Sequence, residues 1–429
     1  MRILFFSHYF PPEVNAPAHR TFEHCREWVR MGHEVHVITG VPSHPAGRPF
    51  PGYHLRWYFR EVQEGIIVHR VLTYLAPNRG TFRRLANYLS FVPSAVWRAS
   101  RLGDFDIILA TSPQFFCAVA GWMASSLKKC PWVFELRDLW PESVSAVGAL
   151  NKSLLLKAVE KWELGLYRSA AGVACVTRSF LDNLEARGID RGKCVFIPNG
   201  IVPEEWEHLD GSEIRRRHGF LPSHILVSYI GTVGMAHGLE VVLQAAAILS
   251  KKAPEVRFLI VGDGARLAGL QKMAKDLGIA SVVFTGLVSH VEAKAYLAAS
   301  DIILVHLKKT ELFKTVLPSK MFEAMAAGKP ILLAVEGEAK EVLRRSGAGE
   351  SIPPEDPESL AESVVRLLGD PVGRKQMGHS GKAFVRKEFS RRSWAQEYER
   401  WLAGLLNGKG GEGADGSKNR KAAGKSALA

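Results

Sequence analysis

Cysteine is scarce: Cys25, Cys117, Cys130, Cys175 and Cys194 are odd in number, far apart and without a CxxC pair. That pattern speaks against a disulfide framework and against a zinc site, and it suits a reducing compartment. Long apolar runs are missing too. Residues 107–127 form the one long uncharged stretch, and Thr111-Ser112-Pro113-Gln114 cuts it into a short strand and a separate helix, so no segment is expected to span a bilayer. The run from Ile3 to Phe6 is too short for a signal peptide. The turn from Gly231 to Gly238 is neither a GxGxxG fingerprint nor a Walker loop. Acidic residues are outnumbered, 43 against 56 lysines and arginines, a formal charge of +13. That excess favours anionic partners: nucleotides, lipid headgroups or nucleic acid.

What is present fits an ordinary globular chain. Its 429 residues, 47% hydrophobic and 23% charged, are enough for two to three domains. A strand reading from Ile3 to Ser7, a helical pattern from Ala18 to Met31 and a strand from Val35 to Thr39 make a βαβ unit. The alternation continues to Ile197, which calls for a parallel sheet covered on both faces. A charged stretch from Glu204 to His218 reads as a linker with a short helix, and the alternation restarts at Ile225. The expected fold class is therefore α/β, two Rossmann-like doubly wound domains facing a cleft. Residues 1–200 form the first domain and 201–388 the second. A helix in 389–406, with Trp394, Tyr398, Trp401 and Leu405 on one stripe, must be buried, and 407–429 reads as a disordered basic tail.

Chemistry-bearing residues gather where strands end, the edge at which open α/β sheets bind ligands. Glu13, Asn15 and His19 follow the first strand and are expected to face the cleft, although a proline-stiffened connection explains them equally well. Arg137 and Asp138 crowd the end of a buried strand, where a carboxylate is costly unless paired or functional. Gly231 and Gly234 with His237, then Gly262 and Asp263, follow two strands of the second half, and such turns let backbone approach a phosphate. The most informative stretch is Thr315 to Pro330. Ser319 and Lys320 open a helix where N–H groups and an ammonium converge on a diphosphate, and Glu323, one turn on, can accept two ribose hydroxyls. The structural alternative is a Ser319-capped helix with a surface Lys320–Glu323 pair.

Together these stretches, with Gly32-His33-Glu34-Val35, Arg137 to Glu142, Ile197 to Ile201 and Glu323 to Pro330, resemble a retaining glycosyltransferase of family 4 with the GT-B fold. Within it the sequence is most similar to O-antigen and colanic acid glycosyltransferases that act on polysaccharide repeat units. The resemblance implies an acceptor-binding first domain, a nucleotide-sugar-binding second domain and a C-terminal helix returning to the first. It implies Gly231 to His237 and Ser319-Lys320 at the donor diphosphate, Gly262 and Asp263 beside them, and Glu323 on ribose. Asp138, Glu13 and His19 become the catalytic candidates, with Arg137 and Asn15 on the phosphate or acceptor side. Two positions depart from the pattern: Thr315 replaces an acidic residue eight positions before Glu323, and His237 replaces a lysine.

The implied donor is a UDP- or GDP-linked sugar, UDP the preferred reading, N-acetylated or deoxy. The implied acceptor is a lipid-linked sugar on polyprenyl diphosphate. Neither a metal nor a cofactor is required if helix termini and lysine neutralise the diphosphate, and nucleic acid is not an expected partner. The rivals are a GT-B nucleotide-sugar epimerase and a catalytically idle nucleotide-sugar-binding assembly protein. From Arg79 to Arg101 five arginines are interleaved with aromatics and no acid occurs. This segment, with Pro93 expected to interrupt its helix, suits either an anionic membrane surface or a core-facing helix with solvated arginines; the lipid-linked acceptor that the resemblance implies favours the first, and with it a place in the cytoplasm on the inner face of the cell membrane.

Overall fold

The computed structural model describes residues 1–77, 81–112, 114–139 and 154–408. Arg79, Pro113, the Trp140-Pro141-Glu142 part of the strand-end motif and the tail beyond Gly408 lie outside the described residues. The chain divides into two compact units: Met1–Pro198 with the segment from Arg391 onward, and Asn199–Ser390.

The first unit runs β1 (Arg2–Phe6), α1 (Ala16–Arg30), β2 (Glu34–Gly40), β3 (Tyr58–Gln63), β4 (Ile66–Val71), α2 (Thr81–Ser100), β5 (Ile107–Thr111), α3 (Phe115–Lys128), β6 (Trp132–Leu136), α4 (Leu154–Ser169), β7 (Gly172–Cys175), α5 (Arg178–Ala186) and β8 (Cys194–Phe196). Its sheet order is β3-β4-β2-β1-β5-β6-β7-β8, with Ile3 level with Val35 on one side and Ile107 on the other. The central strands are buried along their length, as apolar runs between two helical layers must be. The fully parallel sheet read from sequence is corrected at one edge: β3 pairs antiparallel with β4. Its YFREVQ sequence is half exposed, so the apolar signal that marks the inner strands is weak there. A second correction concerns Pro93, which lies inside the continuous α2 rather than ending it.

The second unit contains α6 (Ser212–Arg217), β9 (Ile225–Ile230), α7 (Glu240–Lys252), β10 (Val256–Val261), α8 (Leu267–Asp276), β11 (Val282–Gly286), α9 (His290–Ala299), β12 (Ile302–His306), α10 (Ser319–Ala326), β13 (Ile331–Ala334), α11 (Glu338–Ser346), β14 (Gly349–Ser351), α12 (Pro357–Leu368) and α13 (Pro371–Glu388). Every pairing in its β11-β10-β9-β12-β13-β14 sheet is parallel. That is the doubly wound order, and it reverses between β9 and β12, where such sheets take ligands. The stretch read as a linker is corrected as well: Trp206 and Ile214 are buried in this unit's core.

The last helix, α14 (Arg391–Leu406), packs on α1. Ala395, Tyr398 and Leu402 are fully buried, the Trp28 indole N–H donates to the Ala395 carbonyl at 3.1 Å, and Trp394 meets Phe196 edge-on. Burying a large side chain contributes about 1.5–3 kcal/mol. A chain ending at Glu388 is therefore expected to melt well below one ending at Gly408; equal melting temperatures would contradict this packing.

Candidate functional site

The switch point of the second unit carries most of the singled-out residues. β9 runs into Gly231, whose φ of +141° suits glycine; a Cβ there would lie 2.9 Å from Lys320 Nζ. The turn after β10 abuts it, since a Cβ on Gly262 (φ +134°) would lie 2.0 Å from the Gly231 carbonyl oxygen. The Gly231 turn thus favours glycine through its positive φ, and the Gly262 turn also through its close approach to backbone. Asp263 is exposed and accepts the Gly264 N–H at 2.7 Å, while its carbonyl accepts the Val233 N–H. It shapes the turn.

Lys320 occupies the first turn of α10, after β12. Its Nζ is buried without a hydrogen-bond acceptor among the described residues and sits 3.8 Å from the centre of the Tyr229 ring. Burial pulls the amine down to about 7, with Glu323 opposing the shift. An ammonium this desolvated is costly unless an anion joins it. Tyr229 is held in place by its hydroxyl, which donates to the Thr232 carbonyl at 2.7 Å. Ser319 does not cap α10: Pro318 holds that position, and the Ser319 hydroxyl accepts the Asn199 amide at 3.1 Å.

His237 contributes no charge. Burial, then the nearby Lys320 cation, lower its pKa to about 3, and its Nδ1 accepts the Gly234 N–H at 3.3 Å. Sequence reading missed His306, buried at the end of β12. Its Nδ1 donates to the His237 carbonyl at 2.7 Å and its Nε2 accepts the Glu355 N–H at 3.0 Å. This neutral imidazole pins the glycine turn; its position on the last residue of β12 was the available signal. Thr315 is half-buried, its hydroxyl donating to the Leu312 carbonyl at 2.7 Å.

In the first unit, Glu13 is buried and accepts the N–H groups of Ser43 and His44 at 2.9 Å and of Phe10 at 3.3 Å. Burial raises its pKa against those bonds. The carboxylate ties loops together. Asn15 caps α1, accepting the Ala18 N–H at 2.9 Å, and its amide nitrogen is buried without a partner among the described residues. His19 lies half-buried in the first turn. Asp138 and Arg137 are partly exposed at the end of β6. Beneath them Arg20 bridges the carbonyls of Ile197 and Pro198 and the Glu135 carboxylate, and Arg391 pairs with Glu23 at 2.7 Å. Arg137 Nε and Nη1 are buried and unpartnered among the described residues. Burial, then repulsion from Arg20, lower the guanidinium to about 9, with Glu135 and Asp138 opposing the shift. Among the described residues no three His, Cys, Asp or Glu side chains gather as metal ligands.

Two family models match the chain, one in each unit. The model described as "Glycosyl transferase 4-like domain" matches residues 15–200, and that described as "Glycosyl transferases group 1" matches 210–384. The chain belongs to the group 1 and 4-like glycosyltransferases. This glycosyltransferase is 26% identical over 381 residues to the putative colanic acid biosynthesis glycosyl transferase WcaI of Escherichia coli, covering 86% of this chain and 92% of that one. It is 27% identical over 299 residues to the probable glycosyltransferase WbjE of Pseudomonas aeruginosa, covering 67% and 72%. Among solved structures, Anabaena HepE in complex with UDP and glucose matches at a TM-score of 0.71 and 19% identity, covering 94% of this glycosyltransferase and 99% of HepE. WaaG, a glycosyltransferase involved in lipopolysaccharide biosynthesis, matches at 0.67 and 14%, covering 94% and 100%. These likenesses show the GT-B fold.

Proposed function

We propose that this glycosyltransferase moves a sugar from a nucleoside diphosphate sugar, UDP-linked by preference, to a polyprenyl-diphosphate-linked glycan in cell-surface polysaccharide assembly. The carrying observation is Lys320, a buried amine without a hydrogen-bond acceptor among the described residues, at the switch point beside two glycine turns with positive φ. A diphosphate supplies the missing acceptors, and the α10 terminus adds N–H groups. The colanic acid role in the name of WcaI and the UDP bound in HepE support the substrate classes.

In this reading Glu323 holds the ribose, Gly231, Gly234, His237, Gly262, Asp263 and Ser319 shape the donor pocket, and Arg137 with Asn15 meets phosphate on the acceptor side. Reaction proceeds with retention and without a metal. The acceptor hydroxyl oxygen attacks the anomeric carbon on the face the diphosphate leaves. The C–O bond to diphosphate breaks as the new one forms, and the hydroxyl proton passes to the departing phosphate oxygen. Asp138 positions that hydroxyl. The described residues contain no helix long and apolar enough to cross a membrane; we place the protein on the cytoplasmic face of the cell membrane, held by the arginines of α2.

Donor binding tests the assignment. Loss of a charged hydrogen-bond acceptor costs about 1–3 kcal/mol, so Glu323→Ala should weaken nucleotide-sugar binding in calorimetry while leaving the melting temperature near wild type. Unchanged affinity in the folded variant would remove Glu323 from the donor site.

A further inference from the structure

The surface of α3 is unusual for a solvated helix. From Phe115 to Leu127 it carries no charge, and its outward positions include Trp122 at 37%, Met123 at 38% and Leu127 at 62% exposure. The outward Ser126 hydroxyl donates to the Trp122 carbonyl at 3.1 Å, which meets its need for an acceptor within the helix. Solvent-facing stripes are normally polar, and contiguous apolar ones mark contact surfaces. Trp162 of α4, 43% exposed, extends the stripe by meeting Phe115 edge-on at 4.9 Å.

Its neighbour supplies the chemistry of the partner. α2 packs alongside α3 and has Arg83, Arg84 and Arg98 but no acid, with Phe82, Leu85 and Leu89 exposed. Lys128 and Lys129 close α3. We propose that α3 is a second membrane-docking element, whose uncharged stripe enters the boundary between headgroups and acyl chains while the cations of α2 attract an anionic leaflet. The proposal rests on the lipid-linked acceptor reading and adds to α2 a docking force insensitive to salt. A second copy of this chain suits the surface poorly, because net charge of +13 and arginine-lined helices would oppose each other. Insertion follows buried apolar area, whereas the arginines contribute a screened attraction.

Co-sedimentation with phosphatidylglycerol-rich and pure phosphatidylcholine vesicles, at low and high salt, separates the two forces. Met123→Glu plus Leu127→Glu should lower partition on anionic vesicles roughly tenfold or more and abolish the salt-resistant part. Arg83→Glu plus Arg84→Glu should remove the salt-sensitive part and keep the rest. Leu127→Gln, a milder change at an exposed position, should fall in between. Wild-type partition by the α3 variants, with loss in the α2 variant, would overturn the role of α3 and leave α2 as the docking element. No pelleting of wild type on anionic vesicles would overturn membrane docking altogether. A dimer in light scattering that the α3 variant splits, with vesicle binding unchanged, would assign the stripe to a second copy.

Discussion

Asp138→Asn is expected to lower turnover by about 10²-fold, the order lost when a reacting group is misplaced, with donor affinity unchanged. The carboxylate stands at the end of β6 in the first unit, next to Arg137, whose backbone N–H is fixed by the Ser112 hydroxyl at 2.8 Å. The residues proposed to bind the donor belong to the other unit, so binding and turnover should separate. The asparagine keeps shape and loses charge, and the Glu135 network beneath is untouched. Single-turnover rates with saturating donor, beside calorimetric donor affinity, read the two effects independently. Normal turnover would move the acceptor-side role to His19 or Glu13; His19 is the better candidate, since the Glu13 oxygens already accept three backbone N–H groups.

The second large effect belongs to Lys320. Lys320→Met should cost about 1.5–3 kcal/mol of donor binding, roughly 10- to 150-fold, and alter its pH dependence. In the free protein burial holds the amine at about 7; a bound diphosphate raises it, so binding takes up a proton above that pH. Donor affinity is then full below pH 7 and declines as pH rises through 7 towards the pKa of the complex. At pH 7.5, calorimetry in buffers of different ionisation enthalpy should show roughly half a proton or more taken up by wild type and none at this site in Lys320→Met. Equal uptake by both proteins would show that the amine does not face the diphosphate.

Why these residues could be found in sequence, while their partners could not, follows from the range of each signal. Strand, turn and helix punctuation is local, so Gly231, Gly262 and the Ser319-Lys320 helix start were legible, as was the stripe around Tyr398. Contacts between distant segments were not. The Tyr229 ring beneath Lys320, the Gly231 carbonyl against Gly262 and the grip of His306 on His237 each join separate βα units, and nothing in one segment encodes the other. Glu13 is a similar case: its place after β1 was legible, whereas its partners Ser43 and His44, thirty residues on, were not. Polar edges are also quiet: β3 has Arg60 and Glu61 in its middle, and Glu61 is used to pair with the buried Arg70 at 2.7 Å.

The most direct test of sugar transfer measures nucleoside diphosphate released from a panel of UDP- and GDP-sugars, with and without a polyprenyl-diphosphate-linked glycan. Release should occur with one donor class and only when the lipid-linked acceptor is present, together with a lengthened glycan. Conversion of the nucleotide sugar to its epimer without acceptor, or tight donor binding with no release in the presence of any such acceptor, would contradict a transferase and favour an epimerase or a non-catalytic binder.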